Sequence, residues 1–125
     1  QYERRQGDSG RPDFVIPLGT RKVALEIETG KKGRKREELR DWLKARLKEY
    51  KKILIVVPRD PKIVLRYQRY TQDMERVIVV PTTQLREALE RLLGLRREED
   101  EDIMRKIRRK WTALADLSLK AVEAL

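Results

Sequence analysis

Three carboxylates interrupt two apolar runs near the beginning of this 125-residue chain. Asp13 comes directly before the run FVIPL, while Glu26 and Glu28 lie within the run KVALEIE that follows it. A carboxylate among Val, Ile, Leu and Phe of a β-strand is unfavourable unless it is solvated or paired. These three residues are therefore the first candidates for chemistry.

The residues between the two runs predict how the carboxylates are arranged. Gly19-Thr20 is typical of a two-residue type II′ turn, in which glycine takes the first central position. The register of such a hairpin places Leu18 opposite Arg21 and, further along the ladder, Asp13 opposite Glu26. Since side chains alternate between faces, Asp13, Glu26 and Glu28 share one face with Val15 and Ala24. The opposite face is apolar and predicts a core, formed by Phe14, Ile16, Val23, Leu25 and Ile27.

Two interpretations explain a pair of like charges at this position. Opposed Cβ atoms in an antiparallel ladder lie about 4.5–5.5 Å apart, so the carboxylates repel each other. A divalent cation would relieve the repulsion, with Asp13 and Glu26 as ligands and the backbone carbonyl of Ile27 as a third. Alternatively, Arg or Lys from a neighbouring element neutralises the carboxylates, and the chain has 31 such residues. The pattern leaves both interpretations open.

The rest of the sequence predicts the elements that position this hairpin. Apolar spacings of three and four predict a helix from about Lys35 to Tyr50, and the run Ile53–Val57 predicts a buried strand. Asp60 and Pro61 predict the start of a helix as N-cap and first residue, and Val77–Val80 predicts another strand. Thr82 or Thr83 then caps a helix that Gly94 ends, and the acidic run 98–102 opens a last helix to about Leu125.

This order, β-β-α-β-α-β-α-α, predicts an α/β fold with a mixed central sheet and flanking helices. We expect residues 1–97 to form the α/β core and residues 98–125 to form a helical extension of the same domain. Tyr67 and Tyr70 are expected at the edge of the core rather than as stacking partners for bases.

The composition of the chain favours some classes of function and excludes others. A net charge of +10 and a pI near 10.1 favour a polyanionic partner, either nucleic acid or an acidic membrane surface. Because the chain has no cysteine and no histidine, thiolate zinc sites, Ser-His-Asp triads and imidazole bases are excluded. The absence of asparagine and a charged content of 42% are typical of thermophiles. No apolar run is long enough to span a membrane and no signal peptide is visible, so we expect a cytoplasmic protein without a membrane partner.

The hairpin resembles the core of the PD-(D/E)xK nuclease superfamily. Pro12-Asp13, the turn, Glu26-Ile27-Glu28, and the helix and apolar strand that follow resemble that motif over residues 11–58. It particularly resembles the small archaeal Holliday-junction resolvases and related nuclease modules of mobile elements. The resemblance implies a restriction-endonuclease-like core, a DNA substrate, and a Mg²⁺ or Mn²⁺ cofactor held by Asp13, Glu26 and the Ile27 carbonyl.

The chain departs from the family motif where the motif has lysine, because that position is Glu28. By the resemblance, Glu28 is a general base or a further metal ligand. Alternatively, the lysine has migrated, with Lys31, Lys32 or Lys35 as its substitute. The catalytic set implied by the resemblance is therefore Asp13, Glu26, Glu28 and Lys31. The superfamily also has an earlier helix with an acidic residue, for which only Glu3 is a candidate here.

Two basic segments are candidates for contacts with nucleic acid. The segment 31–36 (KKGRKR) lies at the start of a predicted helix, where backbone N–H groups favour phosphate, and it contributes Lys31, Lys32, Arg34, Lys35 and Arg36. The segment 105–110 (RKIRRK) contributes Arg105, Arg108 and Arg109. For both segments the alternative interpretation is a solvated basic surface.

The sequence thus predicts a metal-dependent endonuclease-like domain that hydrolyses phosphodiester bonds in DNA. The alternative is a catalytically inactive module of the same fold that binds nucleic acid or a partner protein. Resolvases of this kind are dimers, so a second copy is an expected partner. Because the sequence opens with Gln1, a larger parent protein is another.

Overall fold

The computed structural model describes residues 11–30, 35–94 and 97–114. The predicted order of elements is confirmed within these residues. The elements are β1 (Phe14–Leu18), β2 (Arg21–Ile27), α1 (Arg36–Arg46), β3 (Lys52–Val57), α2 (Pro61–Tyr70), β4 (Val77–Pro81), a short 3₁₀ helix (Thr82–Gln84), α3 (Leu85–Leu93) and α4 (Arg97–Leu114).

The protein is an α/β fold built on a four-stranded mixed sheet with the strand order β1-β2-β3-β4. β1 is antiparallel to β2, whereas β2, β3 and β4 are parallel to one another. Helices α1 and α2 make the crossovers that parallel neighbours require. The carboxyl ends of β2, β3 and β4 therefore lie at one edge of the sheet, and the first residues of β1 lie at that edge as well.

The predicted hairpin register is confirmed residue by residue. Phe14 pairs with Leu25, Ile16 with Val23, and Leu18 with Arg21. Gly19 has a φ of 66°, the left-handed conformation that a primed hairpin turn needs at its first central residue. This register brings Asp13 next to Glu26.

Both faces of the sheet are covered by apolar side chains. The predicted core face of the hairpin packs against α3 and α4 in a cluster that includes Leu25, Leu89, Met104 and Ile107. On the other face, Ala24 is fully buried in a cluster with residues of α1 and α2. On β2 this face is therefore covered by helices at Ala24 and Glu26, whereas Val15 of β1 on the same face is 44% exposed.

Most predicted helix limits agree with the structure. Asp60 caps α2 by accepting a hydrogen bond from the backbone N–H of Lys62 at 3.0 Å, and Gly94 ends α3 with a φ of 66°. α1 ends at Arg46, four residues before the predicted Tyr50.

The prediction that Thr82 or Thr83 caps a helix is wrong. Both residues belong to the 3₁₀ turn, and α3 begins at Leu85 after Gln84, which makes no capping hydrogen bond through its side chain. Instead, the backbone N–H of Leu85 donates a hydrogen bond to the carbonyl of Thr82 within the 3₁₀ turn.

The last helix begins at Arg97, one residue before the predicted acidic run, and is described as far as Leu114. The predicted end near Leu125 lies outside the described residues. Among the residues that are described, no helix is both long enough and apolar enough to cross a lipid bilayer.

Candidate active site

Asp13 and Glu26 meet at the carboxyl end of β2. The backbone N–H of Asp13 donates to Glu26 Oε1 at 3.4 Å, and the backbone N–H of Ile27 donates to Asp13 Oδ2 at 2.7 Å. The hairpin register and the alternation of side chains fix this arrangement, since Glu26 is the sixth residue of β2 and Asp13 directly precedes β1. The structure thus brings together the two residues that the sequence identified as the centre of the site.

Glu26 is buried beside a buried arginine. Its side chain is 5% exposed, as is that of Arg46, and Arg46 Nε lies 3.1 Å from Glu26 Oε2. These two atoms are close but are not aligned for a hydrogen bond. Arg46 comes from the last turn of α1, where its guanidinium also lies 4.6 Å from the centre of the Trp42 ring. For Glu26, the structure therefore agrees with the interpretation in which an arginine or lysine neutralises the carboxylates.

Burial and charge raise the pKa of Glu26 from its ordinary value of 4.5 to about 8. The largest cause is desolvation, and the second is repulsion from the Asp13 carboxylate; Arg46 acts in the opposite direction but does not compensate for both. A carboxyl group with a raised pKa beside a second carboxylate is a site where additional positive charge is favourable.

Asp13 has a basic partner of its own. Lys110 Nζ lies 3.2 Å from Asp13 Oδ1, with its side chain 39% exposed, and the same ammonium lies 6.0 Å from the centre of the Phe14 ring. The sequence pattern predicts a functional role for three arginines of segment 105–110 and does not identify Lys110. Its position one turn after the buried Ile107 places it on the face of α4 that meets the sheet, so helical periodicity was the available signal.

Helix α2 holds the residues that follow β2. The hydroxyl of Tyr67 donates to Glu28 Oε1 at 3.2 Å, and Arg66 Nη2 donates to the carbonyl of Gly30 at 3.4 Å. Tyr67 is 1% exposed, so it belongs to the core interior rather than to the core edge where we expected it. Glu28 remains near enough to the carboxylate pair to add a small repulsion that raises the pKa of Glu26.

The predicted basic residues that the structure describes lie at the start of α1 and on α4. Lys31, Lys32 and Arg34 lie outside the described residues. Lys35 and Arg36 are exposed at the start of α1.

On α4, Arg105 lies 3.5 Å from Asp102 and is exposed. Arg109 is also exposed, whereas Arg108 is half-buried. The structure therefore places Arg105 and Arg109 at the surface, and neither forms an ion pair with Asp13 or Glu26 within the described part of the chain.

Asp13 and Glu26 are the carboxylates that the sequence predicts as ligands of Mg²⁺ or Mn²⁺. Among the described residues there is no group of three His, Cys, Asp or Glu side chains placed to hold a metal. Mg²⁺ is nevertheless commonly held by one or two carboxylates, with water and phosphate oxygens completing its shell. Asp13 and Glu26 supply two such carboxylates, and Oε2 of Glu26 accepts no hydrogen bond within the described part of the protein.

Comparison with models of protein families, with curated protein sequences and with solved structures found no match to this chain. The residues of the site and their geometry are therefore the basis on which we infer a function.

Proposed function

We propose that this chain is a metal-dependent DNA endonuclease-like domain with a PD-(D/E)xK, restriction-endonuclease-like core. The observation that carries the proposal is the contact between the two acidic positions of the motif. Asp13 and Glu26 are joined by the hydrogen bonds Asp13 N–H to Glu26 Oε1 and Ile27 N–H to Asp13 Oδ2. They lie at the carboxyl end of β2, the edge of an α/β sheet where ligands generally bind.

Each residue of the site has a separate role in phosphodiester hydrolysis. Asp13 and Glu26 would hold Mg²⁺ or Mn²⁺, which when bound polarises the scissile phosphate and lowers the pKa of the attacking water. Lys110 supplies an ammonium group 3.2 Å from Asp13, where it stabilises negative charge that develops on the phosphate. Arg46, with its Nε 3.1 Å from Glu26 Oε2, supplies a counter-charge for Glu26.

Glu28 and the basic surfaces complete the proposal. Glu28 is oriented by Tyr67 and takes the position of the family lysine as a base or a further metal ligand. The exposed cations Lys35, Arg36 and Arg109 add to a net charge of +10. That charge attracts the phosphate backbone without selecting a sequence.

The second candidate function is a module of the same fold that binds nucleic acid or a partner without cutting. It is favoured by the ion pairs of the site, because Glu26 faces Arg46 and Asp13 faces Lys110. In this interpretation the basic side chains replace the metal permanently and the carboxylates serve to hold α1 and α4 on the hairpin.

A cleavage assay distinguishes the two functions. Labelled linear, single-stranded and four-way-junction DNA is incubated with Mg²⁺ or Mn²⁺ and with wild type, Asp13→Asn or Glu26→Gln. Glu37→Gln is the matched control, since its side chain is 85% exposed on the surface of α1. Metal-dependent cutting that is lost in both site variants and retained in the control supports the nuclease. DNA binding without cutting, at equal affinity in all four proteins, supports the binding module.

A further inference from the structure

A concave site lies at the opposite end of β2 from the carboxylate pair. It has a volume of about 260 Å³ and lies between the hairpin turn, the turn that follows α1 and the residue before β4. Its charged lining consists of five cations and one carboxylate: Arg21, Lys22, Lys48, Lys51, Arg76 and Glu49. We refer to this site as the basic pocket.

Two of the five cations have partners inside the pocket. Lys22 Nζ lies 3.6 Å from Glu49 Oε1 and 5.2 Å from the centre of the Tyr50 ring. Arg76 Nη2 donates to the carbonyl of Leu47 at 2.6 Å, which satisfies a carbonyl at the end of α1.

The other three cations are not neutralised by the part of the chain that the structure describes. Arg21, Lys48 and Lys51 are exposed and form no ion pair with the described residues. Three like charges around one concavity repel one another and raise the affinity of the site for an anion. Because the single carboxylate of the lining, Glu49, pairs with Lys22, the pocket has an excess of positive charge.

We propose that the basic pocket binds a phosphate group, presented either by a nucleic-acid backbone or by a free oligophosphate. Phosphate is the anion that several converging Lys and Arg side chains recognise best. The pocket does not provide a stacking surface for bases, because Tyr50 is only 6% exposed and the ammonium of Lys22 lies over its ring. Binding is therefore independent of base sequence.

The basic pocket is separate from the candidate active site and does not depend on its activity. Arg21 begins β2 and Glu26 is near its end, so at about 3.3 Å per residue the two sites are separated by roughly 15–20 Å. A nucleic-acid strand that reached both would span about five or six nucleotides at roughly 3.4 Å each. Shorter oligonucleotides would contact one site only.

The test compares two triple variants with the same change in net charge. The pocket variant is Arg21→Gln/Lys48→Gln/Lys51→Gln, and the control is Lys44→Gln/Lys62→Gln/Arg69→Gln, whose three residues are exposed on α1 and α2. Affinity for labelled single- and double-stranded oligonucleotides is measured against salt concentration without divalent metal. Binding of pyrophosphate is measured separately by calorimetry.

We expect the pocket variant to bind oligonucleotides at least tenfold more weakly than the control. We also expect its slope of log affinity against log salt to fall by about 0.7–0.9 for each phosphate that the variant no longer neutralises. If pyrophosphate binding alone is lost, the ligand is a free oligophosphate; if oligonucleotide binding is lost, it is the backbone. Equal affinities of both triple variants for both ligands would overturn the proposal. Because no metal is present, a failure of the nuclease in the cleavage assay leaves this result unaffected.

Discussion

Lys110 Nζ lies 3.2 Å from Asp13 Oδ1, so the C-terminal helix α4 reaches the acidic residue that precedes the first strand. The buried Ile107, one turn earlier, packs α4 into the same core cluster as Leu25 of β2. Asp13 itself is tied to β2 by the backbone N–H of Ile27. The site is therefore built by the hairpin and α4 together, rather than by the hairpin alone.

The first prediction concerns the role of this lysine. Lys110→Ala should lower the rate constant of DNA cleavage by about 10²–10³-fold, the usual effect of removing one group that stabilises charge in the transition state. Stability should change by less than about 1 kcal/mol, because the pair is partly exposed. The measurement is single-turnover cleavage with saturating Mg²⁺, together with a thermal melt of each protein.

Lys106→Ala is the control for Lys110→Ala, because Lys106 is exposed on the same helix and pairs with Asp102 at 3.1 Å. Lys110→Arg should retain part of the rate, since it retains the charge. Cleavage by Lys110→Ala at the wild-type rate would show that the lysine only anchors α4.

The hairpin and its carboxylate pair are predictable from the sequence because their determinants are local. A glycine at the turn sets the register, and the period of two assigns each side chain to a face. Together they place Asp13 beside Glu26 before any tertiary packing is known. The order of strands and helices likewise predicts the mixed sheet. Asp60 predicts where α2 begins, and Gly94 predicts where α3 ends.

The partners of the carboxylates are not predictable from local patterns. Arg46, Tyr67 and Lys110 come from three different helices, and each reaches its carboxylate only because of the way its helix packs on the sheet. Among 31 Lys and Arg residues, only tertiary packing selects Arg46 and Lys110. Helical periodicity indicates that Arg46, three residues after Leu43, faces inward. It does not indicate which residue Arg46 contacts.

The second prediction concerns stability and pH. In the folded protein the pKa of Glu26 is about 8, against an ordinary value of 4.5. Between these values the folded state holds a proton that the unfolded state has released, so the free energy of unfolding should fall as pH rises from 4.5 to 8. The expected decrease is on the order of a few kcal/mol. It is measured by chemical denaturation across this pH range.

Glu26→Gln should remove most of that fall, because the amide does not ionise. Glu37→Gln, on the exposed surface of α1, should leave it unchanged. A wild-type protein whose stability is constant or rises between pH 4.5 and 8 would contradict the raised pKa.

The third prediction concerns the buried arginine. Above the pKa of about 8, where Glu26 is ionised, Arg46→Ala should lower the free energy of unfolding by about 3–5 kcal/mol, since it leaves a buried carboxylate without its counter-ion. Below pH 7 the decrease should be smaller, because Glu26 then carries a proton. Denaturation at the two pH values gives the difference directly.

Two further variants separate charge from packing at this position. Arg36→Ala, which removes an exposed partner of Glu37 at 3.9 Å, should cost at most about 1 kcal/mol at either pH. The double variant Arg46→Met/Glu26→Gln should recover most of the stability, because no buried charge remains. A decrease in Arg46→Ala that is equal at both pH values would indicate packing alone.

The fourth prediction uses two glycines with the same backbone strain but different surroundings. Gly19 has a φ of 66° and Gly30 a φ of 81°, so alanine at either position costs about 1–2 kcal/mol. A Cβ at Gly30 would also lie 2.9 Å from Ile63 Cδ1, whereas one at Gly19 would meet no atom within 4 Å. Because Ile63 packs against the core, Gly30→Ala should cost a further 1–3 kcal/mol or so and displace Glu28.

Cleavage should then fall in Gly30→Ala and remain unchanged in Gly19→Ala. Adding Ile63→Val, which removes Cδ1, should restore part of both stability and cleavage; equal stabilities of the two alanine variants would show that Ile63 moves aside freely.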